Sequence, residues 1–260
     1  MYYILLFLFF MIGASIGSFL NVLIYRLPRG QSPVSPRSKC PLCGELISWY
    51  WNIPVLSYIL LRGKCRKCSF KIPVSYFFIE VLFGFTSITL FPDLSRVESL
   101  YDYFFFMSIF SVFVAHFVID LQFKILPDVL NLYLAFIIGS FSIVFNPWWF
   151  WALGGAIGFG FPYIITWAFY KYSGKVGLGG GDIKLYGALG LYLGPVGVMT
   201  NIFMSCFLGS VVTLLLIGLK LFKREDFIPF GPFIIVVGFF QIFLPEQFSW
   251  LLNVLGLQVY

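Results

Sequence analysis

The feature that most constrains this chain is a succession of long apolar runs from its first residues into its last quarter. A soluble domain of 260 residues, of which 60% are hydrophobic and 22% aromatic, cannot hide this much apolar surface. Runs of spanning or nearly spanning length lie at about 3–25, 73–91, 99–121, 128–146, 148–170, 182–198, 199–219 and 229–246. The sequence therefore predicts an all-α polytopic membrane protein with about eight transmembrane helices.

The distribution of basic residues predicts the topology. A net charge of +6 is compatible with nucleic-acid binding, but the Lys and Arg residues are concentrated in residues 26–72 and in short gaps between apolar runs. Cytoplasmic loops carry the excess of basic residues. Placing 26–72 in the cytoplasm leaves only one of the 17 basic residues, Arg96, outside. The seven other basic residues that it places inside are Lys124, Lys171, Lys175, Lys184, Lys220, Lys223 and Arg224. We therefore predict a cytoplasmic loop, outward-facing termini, an interfacial tail at 247–260 and no nucleic-acid partner.

Residues Gly177 to Asp182 read Gly-Leu-Gly-Gly-Gly-Asp and place a carboxylate at the start of an apolar segment. Glycine tolerates positive φ and the close approach of another backbone because it has no Cβ. An acid at membrane depth is costly, so it is by default a functional-site hypothesis that requires a partner. Asp120, at the predicted cytoplasmic end of the third span, lies at the same depth as Asp182. Matched depth makes a pair geometrically possible.

Two carboxylates in contact tend to share one proton, because both cannot ionise cheaply. One then takes a proton from water while the other donates to a scissile carbonyl, which is aspartyl-protease chemistry. The catalytic candidates are Asp120 and Asp182, with Gly179, Gly180 and Gly181 as the active-site loop. The alternative is that each acid only caps a span at the membrane interface.

Four of the five cysteines form two C-x2-C pairs in the polar loop, Cys40 with Cys43 and Cys65 with Cys68. Two such knuckles fit a four-cysteine zinc site, although their separation slightly exceeds the usual spacing. Four thiolates leave no open coordination position, so the predicted Zn²⁺ is structural and folds a loop too small for its own core. The alternative is that these cysteines are redox-active or incidental. Cys206 lies in an apolar run, where it is expected to be a small buried residue.

Three other polar residues have simpler interpretations. His116 lies one turn before Asp120 and is expected to be a hydrogen-bonded packing residue. Asp128 follows Pro127 and is expected to cap the fourth span. Glu80 lies inside the second span and requires a partner, for which Asn21 or a lysine is the candidate.

These motifs together resemble the type IV prepilin peptidases, a family of GxGD-type intramembrane aspartyl proteases. The resemblance covers most of residues 13–80 and 117–194. It includes Gly17-Ser18-Phe19-Leu20-Asn21-Val22, Arg26-Leu27-Pro28, both cysteine knuckles, Asn52-Ile53-Pro54-Val55-Leu56-Ser57, Ile119-Asp120 to Leu126-Pro127-Asp128, and Gly177 to Gly190. Four residues of a GxGD motif recur by chance, but the ordered set of motifs on a polytopic frame is highly specific.

The resemblance implies that Asp120 and Asp182 are the catalytic pair, in a bacterial inner-membrane enzyme whose active site and zinc loop face the cytoplasm. Such enzymes cut basic leaders from prepilins and pseudopilins of type IV pili and type II secretion, just before an apolar helix that lies in the lipid bilayer. Many members also N-methylate the new terminus with S-adenosylmethionine, an activity associated with the cysteine-bearing loop. The predicted domains are a first transmembrane helix at 1–25, a cytoplasmic four-cysteine loop at 26–72 and a transmembrane catalytic domain at 73–260.

Two other functional classes remain open from the sequence. The paired aspartates also suit a membrane transporter or proton relay, although that class explains neither the cysteine loop nor the glycine run. A non-enzymatic zinc scaffold in a secretion assembly would need the cysteines and not the two acids.

Overall fold

The computed structural model describes residues 2–175, 177–221 and 228–257, so Lys223, Arg224 and the last three residues of the predicted tail lie outside the described residues. The predicted all-α fold is confirmed. The α-helices are α1 (Tyr2–Arg26), α2 (Leu56–Leu60), α3 (Val74–Thr89), α4 (Val97–Phe123), α5 (Asp128–Phe145), α6 (Trp148–Ser173), α7 (Gly180–Gly218), α8 (Gly231–Phe243) and α9 (Pro245–Val254). In the described ranges, β-pairing is confined to two isolated bridges in the cysteine loop.

Five helices, α1 and α4 to α7, are long and apolar enough to cross a membrane, and α8 with α9 forms a sixth candidate that bends by 112°. The predicted count of eight spans is not confirmed. Helix α3 has 16 residues, fewer than the roughly 20 that a bilayer core requires. The predicted spans at 182–198 and 199–219 both lie in α7, whose 39 residues comprise two helices that meet at a non-helical residue, Gly194.

The two helices of α7 fold back on each other, since the hydroxyl groups of Tyr186 and Ser205, 19 positions apart, form a hydrogen bond that a straight helix could not make. Gly194 has φ +69°, a left-handed conformation that glycine adopts without a Cβ clash. Pro195 follows and lacks the N–H that would continue the helical ladder. Because the helix resumes directly at Pro195, the two predicted spans are joined without a loop.

The chain forms two compact units, divided between Ser111 and Val112 within α4. In the first unit, α1 packs closely against α3, since a Cβ at Gly17 would lie only 2.9 Å from the carbonyl oxygen of Ile79. The Ser87 hydroxyl donates to the carbonyl oxygen of Phe9 at 2.6 Å and adds a polar link between the same helices. Small residues at such an interface let membrane helices approach each other.

In the second unit, α6 and α7 meet through glycines. A Cβ at Gly154 would collide with the backbone of Gly190, and a Cβ at Gly190 would collide with that of Gly154. The absence of a Cβ at both positions therefore lets the two backbones approach each other. Helix α8 is tied to α7 by a 2.7 Å hydrogen bond between the side chains of Asn201 and Gln241.

The segment predicted as an interfacial tail is partly helical. Within α9, Phe248 and Leu252 are buried and pack with Val237 of α8. Trp250, on the same helix, is 66% exposed. One face of α9 therefore belongs to the core of the second unit, which the apolar run alone did not indicate.

Candidate functional site

Asp120 lies near the end of α4 and is held by the start of α8. Its carboxylate is 4% exposed, and Oδ2 accepts a 3.0 Å hydrogen bond from the backbone N–H of Gly231. A Cβ at position 231 would lie 2.7 Å from the same oxygen, so glycine is needed for this approach. The first N–H groups of a helix have no intrahelical partner and suit a carboxylate. Sequence analysis missed Gly231, for which Phe230-Gly231-Pro232 at the head of an apolar run was the available signal.

Asp182 lies in the first turn of α7, close enough to Asp120 for the charges of the two carboxylates to interact. Leu126 lies close to both the first turn of α7, which carries Asp182, and the start of α8, which contacts Asp120. A Cβ at Gly181 would lie 2.8 Å from Leu126 Cβ, and a Cβ at Gly231 would lie 3.2 Å from Leu126 Cδ2. The structure therefore brings the two predicted acids into one site.

Two of the glycines before Asp182, Gly179 and Gly181, lie where an added Cβ would crowd a neighbouring atom, whereas Gly180 does not. Gly179 has φ −65° and ψ 144°, an extended conformation open to any residue. A Cβ there would lie 2.8 Å from Asp182 Oδ2, whereas a Cβ at Gly180 would meet no atom within 4 Å. The sequence allowed either positive φ or close packing for this glycine run, and Gly179 and Gly181 serve close packing.

A buried polar group supports the glycine loop from α5. The Asn131 side chain donates a 3.2 Å hydrogen bond to the carbonyl oxygen of Gly181. The fully buried His116 ring lies beside Asn131, although neither ring nitrogen has a partner in hydrogen-bonding geometry within the described part of the chain. His116 is therefore packed as expected, but the expected hydrogen bond is not formed. Sequence analysis missed Asn131, because nothing local marks a residue 50 positions from its partner.

Asp128 does not have the capping role that was predicted for it. It is the first residue of α5, as its place after Pro127 suggested, but the residue at the cap position is Pro127 itself. Asp128 Oδ1 instead accepts a 2.7 Å hydrogen bond from Lys184 Nζ of α7. The packing of α7 against α5 places the Lys184 ammonium beside the exposed Asp128 carboxylate. The pair links α5 to the turn that carries Asp182.

The four loop cysteines form the predicted cluster. Their sulfur atoms lie within 4.8 Å of one another, with Cys40 to Cys68 at 3.7 Å and Cys43 to Cys65 at 3.9 Å. Tetrahedral zinc with Zn–S bonds of about 2.3 Å places sulfur atoms about 3.8 Å apart. The donor set and its spacing are therefore compatible with zinc.

The two knuckles have the same local backbone. In each, the amide after the second cysteine donates to the carbonyl of the first, from Gly44 to Cys40 and from Ser69 to Cys65, both at 3.0 Å. Gly44 and Ser69 both have positive φ. Hydrogen bonds from the backbone amides of Cys68 and Lys67 lower the pKa of the Cys65 thiol to about 6. Cys65 thus favours the thiolate that metal binding requires, whereas burial and the neighbouring cysteines raise the pKa of the Cys68 thiol to about 12.

Two expectations about single residues are wrong. Glu80 is bound neither by Asn21 nor by a lysine. Its Oε2 accepts a 2.7 Å hydrogen bond from the Val55 amide, while Asn21 donates to the carbonyl oxygen of Tyr76. Cys206, expected to be buried, is exposed on α7. The partner of Glu80 and the exposure of Cys206 both depend on which helices pack together, and the sequence does not show this.

Comparison with known proteins identifies two matching domains in sequence order. Residues 11–94 match the bacterial peptidase A24 N-terminal domain, and residues 105–214 match the type IV leader peptidase family. These two stretches contain the cysteine loop and both acids. No solved structure matches the chain.

Curated relatives are similar over almost the whole chain. A prepilin leader peptidase/N-methyltransferase of Vibrio cholerae is 36% identical over 93% of this chain and 99% of its own length. Proteins with the same name are 32% identical in Xanthomonas campestris, covering 89% of this chain and 88% of the relative, and 31% identical in Aeromonas hydrophila, covering 97% and 94%. The chain therefore belongs to the type IV leader peptidase family.

Proposed function

We propose that this chain is an intramembrane aspartyl endopeptidase that removes the leader of type IV prepilins or pseudopilins and N-methylates the new terminus. Its family and the names of its relatives support this reaction. The observation that carries the catalytic assignment is the approach of Asp120 and Asp182 from two different helices. The protein proposed to carry both activities is a multi-pass protein of the bacterial inner membrane.

The two carboxyl groups share one proton and hold a water molecule between them. The ionised carboxylate takes a proton from this water as its oxygen attacks the scissile carbonyl carbon. The protonated carboxyl donates its proton to the carbonyl oxygen. Collapse of the tetrahedral intermediate breaks the C–N bond, and the leaving nitrogen takes a proton from the pair. The Gly231 amide fixes the orientation of Asp120 throughout.

The substrate is a prepilin whose apolar helix lies in the bilayer and whose basic leader remains in the cytoplasm. Basic residues on one side of the predicted topology support an active site and cysteine loop at the cytoplasmic face. Gly180 adjoins open space, so an extended peptide backbone can approach the loop there. In this arrangement the scissile bond lies at the depth of Asp120 and Asp182.

Zn²⁺ is proposed as a structural ion held by Cys40, Cys43, Cys65 and Cys68. When bound, it crosslinks the two knuckles and supplies folding free energy to a loop with little core of its own. Cleavage is assigned to the carboxylates and needs no open coordination position.

Methylation is proposed to use S-adenosylmethionine. When bound, this donor would supply an electrophilic methyl group to the neutral amine of the freed N-terminus, with S-adenosylhomocysteine as the other product and a proton released from the amine. The relatives' printed name supports this activity for the whole chain.

Cleavage of a prepilin-like peptide in detergent, read by mass spectrometry for leader loss and one added methyl group, tests the proposal. Asp120→Asn and Asp182→Asn are each expected to lower cleavage by at least about 10²-fold, because each removes half of the acid–base pair. Asp102→Asn, an exposed acid of the same helix as Asp120, is the control. Full cleavage by either dyad variant would refute the assignment of that residue.

The transporter or proton-relay alternative is not favoured. It would leave leader cleavage absent in wild type and would make the cysteine cluster irrelevant to activity. Family membership and the paired acids are both explained by a peptidase, so we retain that assignment.

A further inference from the structure

A cavity of about 980 Å³ lies in the first unit, apart from the two acids proposed for cleavage. It is lined by residues of α1, the cysteine loop and α3. Sites for small molecules and cofactors typically occupy about 300–1,000 Å³. The cavity is therefore large enough for a nucleoside-bearing ligand.

Aromatic side chains provide much of the cavity wall. Trp51, Tyr58 and Tyr76 line it, and the Arg66 guanidinium lies 5.6 Å from the centre of the Trp51 ring. The Trp51 Nε1 atom is buried and has no hydrogen-bond partner among the residues that the structure describes. Buried indole N–H groups usually find an acceptor. A ligand with aromatic and acceptor atoms would supply that partner.

Glu80 brings a carboxylate to the same cavity. Its Oε2 accepts a hydrogen bond from the Val55 amide, which leaves lone pairs for a further donor. No salt bridge of the described residues involves Glu80. A half-buried carboxylate without a cationic partner suits a cationic ligand.

The turn bonded to Glu80 is strained. Val55 has φ 64° and ψ −54°, a conformation rare for a β-branched residue, and the Leu56 amide closes the turn on the Pro54 carbonyl at 2.6 Å. Such backbone persists only where the surroundings hold it, and it clusters at ligand sites. Here the Glu80 carboxylate holds the turn through the Val55 N–H.

Four basic residues line the cavity, Arg26, Lys39, Arg66 and Lys67. Among the residues that the structure describes, none of the four forms a salt bridge with Glu80. Arg26 donates to the carbonyl oxygens of Ser32, Pro33 and Pro36, and Lys67 pairs with Glu45 at 2.6 Å. They do not neutralise Glu80, so its charge remains available to a ligand.

We propose that this cavity binds the methyl donor S-adenosylmethionine, with the aromatic walls contacting its adenine and the Glu80 carboxylate contacting its cationic sulfonium. This inference rests on the proposed methyltransferase activity and names its donor site. Aromatic faces and a carboxylate both attract a sulfonium cation. The cleavage chemistry does not use any of these residues.

The test is direct binding of S-adenosylmethionine to the zinc-loaded full chain in detergent, by calorimetry, with photo-crosslinking to map the contact. Glu80→Gln keeps an acceptor for the Val55 amide but removes the charge, and it is expected to raise the Kd about tenfold. Trp51→Phe keeps the ring but removes the N–H, and a rise of about threefold to tenfold is expected. Trp49→Phe is the matched control, because Trp49 belongs to the same 3₁₀ turn but is 76% exposed and does not line the cavity.

Zinc content and the elution profile show whether each variant is folded. S-adenosylhomocysteine, which lacks the sulfonium charge, should lose less affinity than S-adenosylmethionine in Glu80→Gln. Wild-type affinity in both folded variants, or crosslinks confined to the second unit, would overturn the inference. Failure of wild type to bind the donor or to methylate would instead count against the proposed methyltransferase function.

Discussion

The backbone amide of Gly231 donates a 3.0 Å hydrogen bond to Asp120 Oδ2, across 111 positions of the sequence. This contact places the N-terminal turn of α8 directly against one carboxylate of the proposed pair. It orients that carboxylate without a charged side chain, and a Cβ at position 231 would occupy the same space. The site therefore depends on a residue with no chemically active side chain.

Gly231→Ala is expected to lower leader cleavage by at least about tenfold, because a methyl group 2.7 Å from Asp120 Oδ2 must displace the carboxylate. Gly238→Ala, on the same helix, is the control, since its added Cβ would make ordinary contacts of 3.4 Å or more. The measurement is the initial rate of peptide cleavage at saturating substrate. Equal rates for the two variants would show that the amide contact is not needed.

Asn131→Leu is expected to lower the free energy of unfolding by about 1–3 kcal/mol, because it removes the buried hydrogen bond to the Gly181 carbonyl. Cleavage should also fall, since the loop before Asp182 loses its support. Asn253→Leu changes an exposed residue of α9 and serves as the control. Thermal unfolding in detergent measures the stability, and an unchanged midpoint for Asn131→Leu would contradict the prediction.

Gly154→Ala and Gly160→Ala should shift stability in opposite directions, although both lie on α6. A Cβ at Gly154 collides with the backbone of α7, so this variant should lose about 1–3 kcal/mol. A Cβ at Gly160 meets no atom within 4 Å, and alanine favours a helix over glycine by about 1 kcal/mol. Denaturant titration of each purified variant measures the difference. Similar losses for both would mean that the α6–α7 contact is looser than described.

Removing zinc with a chelator is expected to unfold the cysteine loop before it affects the carboxylate pair. Limited proteolysis should then cut within residues 26–72, and Cys43→Ser should show the same sensitivity without chelator. Cys206→Ser should keep full zinc content, because Cys206 lies outside the four-sulfur cluster. A loop that stays protected after complete metal loss would argue against a structural ion.

Local signals in the sequence predicted the helical membrane fold, the four-cysteine cluster and the two acids at one depth. They failed where a partner lies far along the chain. Asp128 looked like a helix cap, yet packing brings Lys184 to it. Glu80 needed a partner that its own sequence neighbours could not reveal, and the Val55 amide provides it.

Hydropathy and residue spacing were sufficient for those predictions because an apolar run of spanning length must be satisfied within its own helix, and C-x2-C pairs carry their own turn geometry. Only the tertiary structure decided that Tyr186 meets Ser205 across the break at Gly194, that Asn131 supports the glycine loop and that Gly231 meets Asp120. The physical reason is that these contacts depend on which helix faces pack together. Many arrangements of apolar helices have similar burial, and close backbone approaches select one of them.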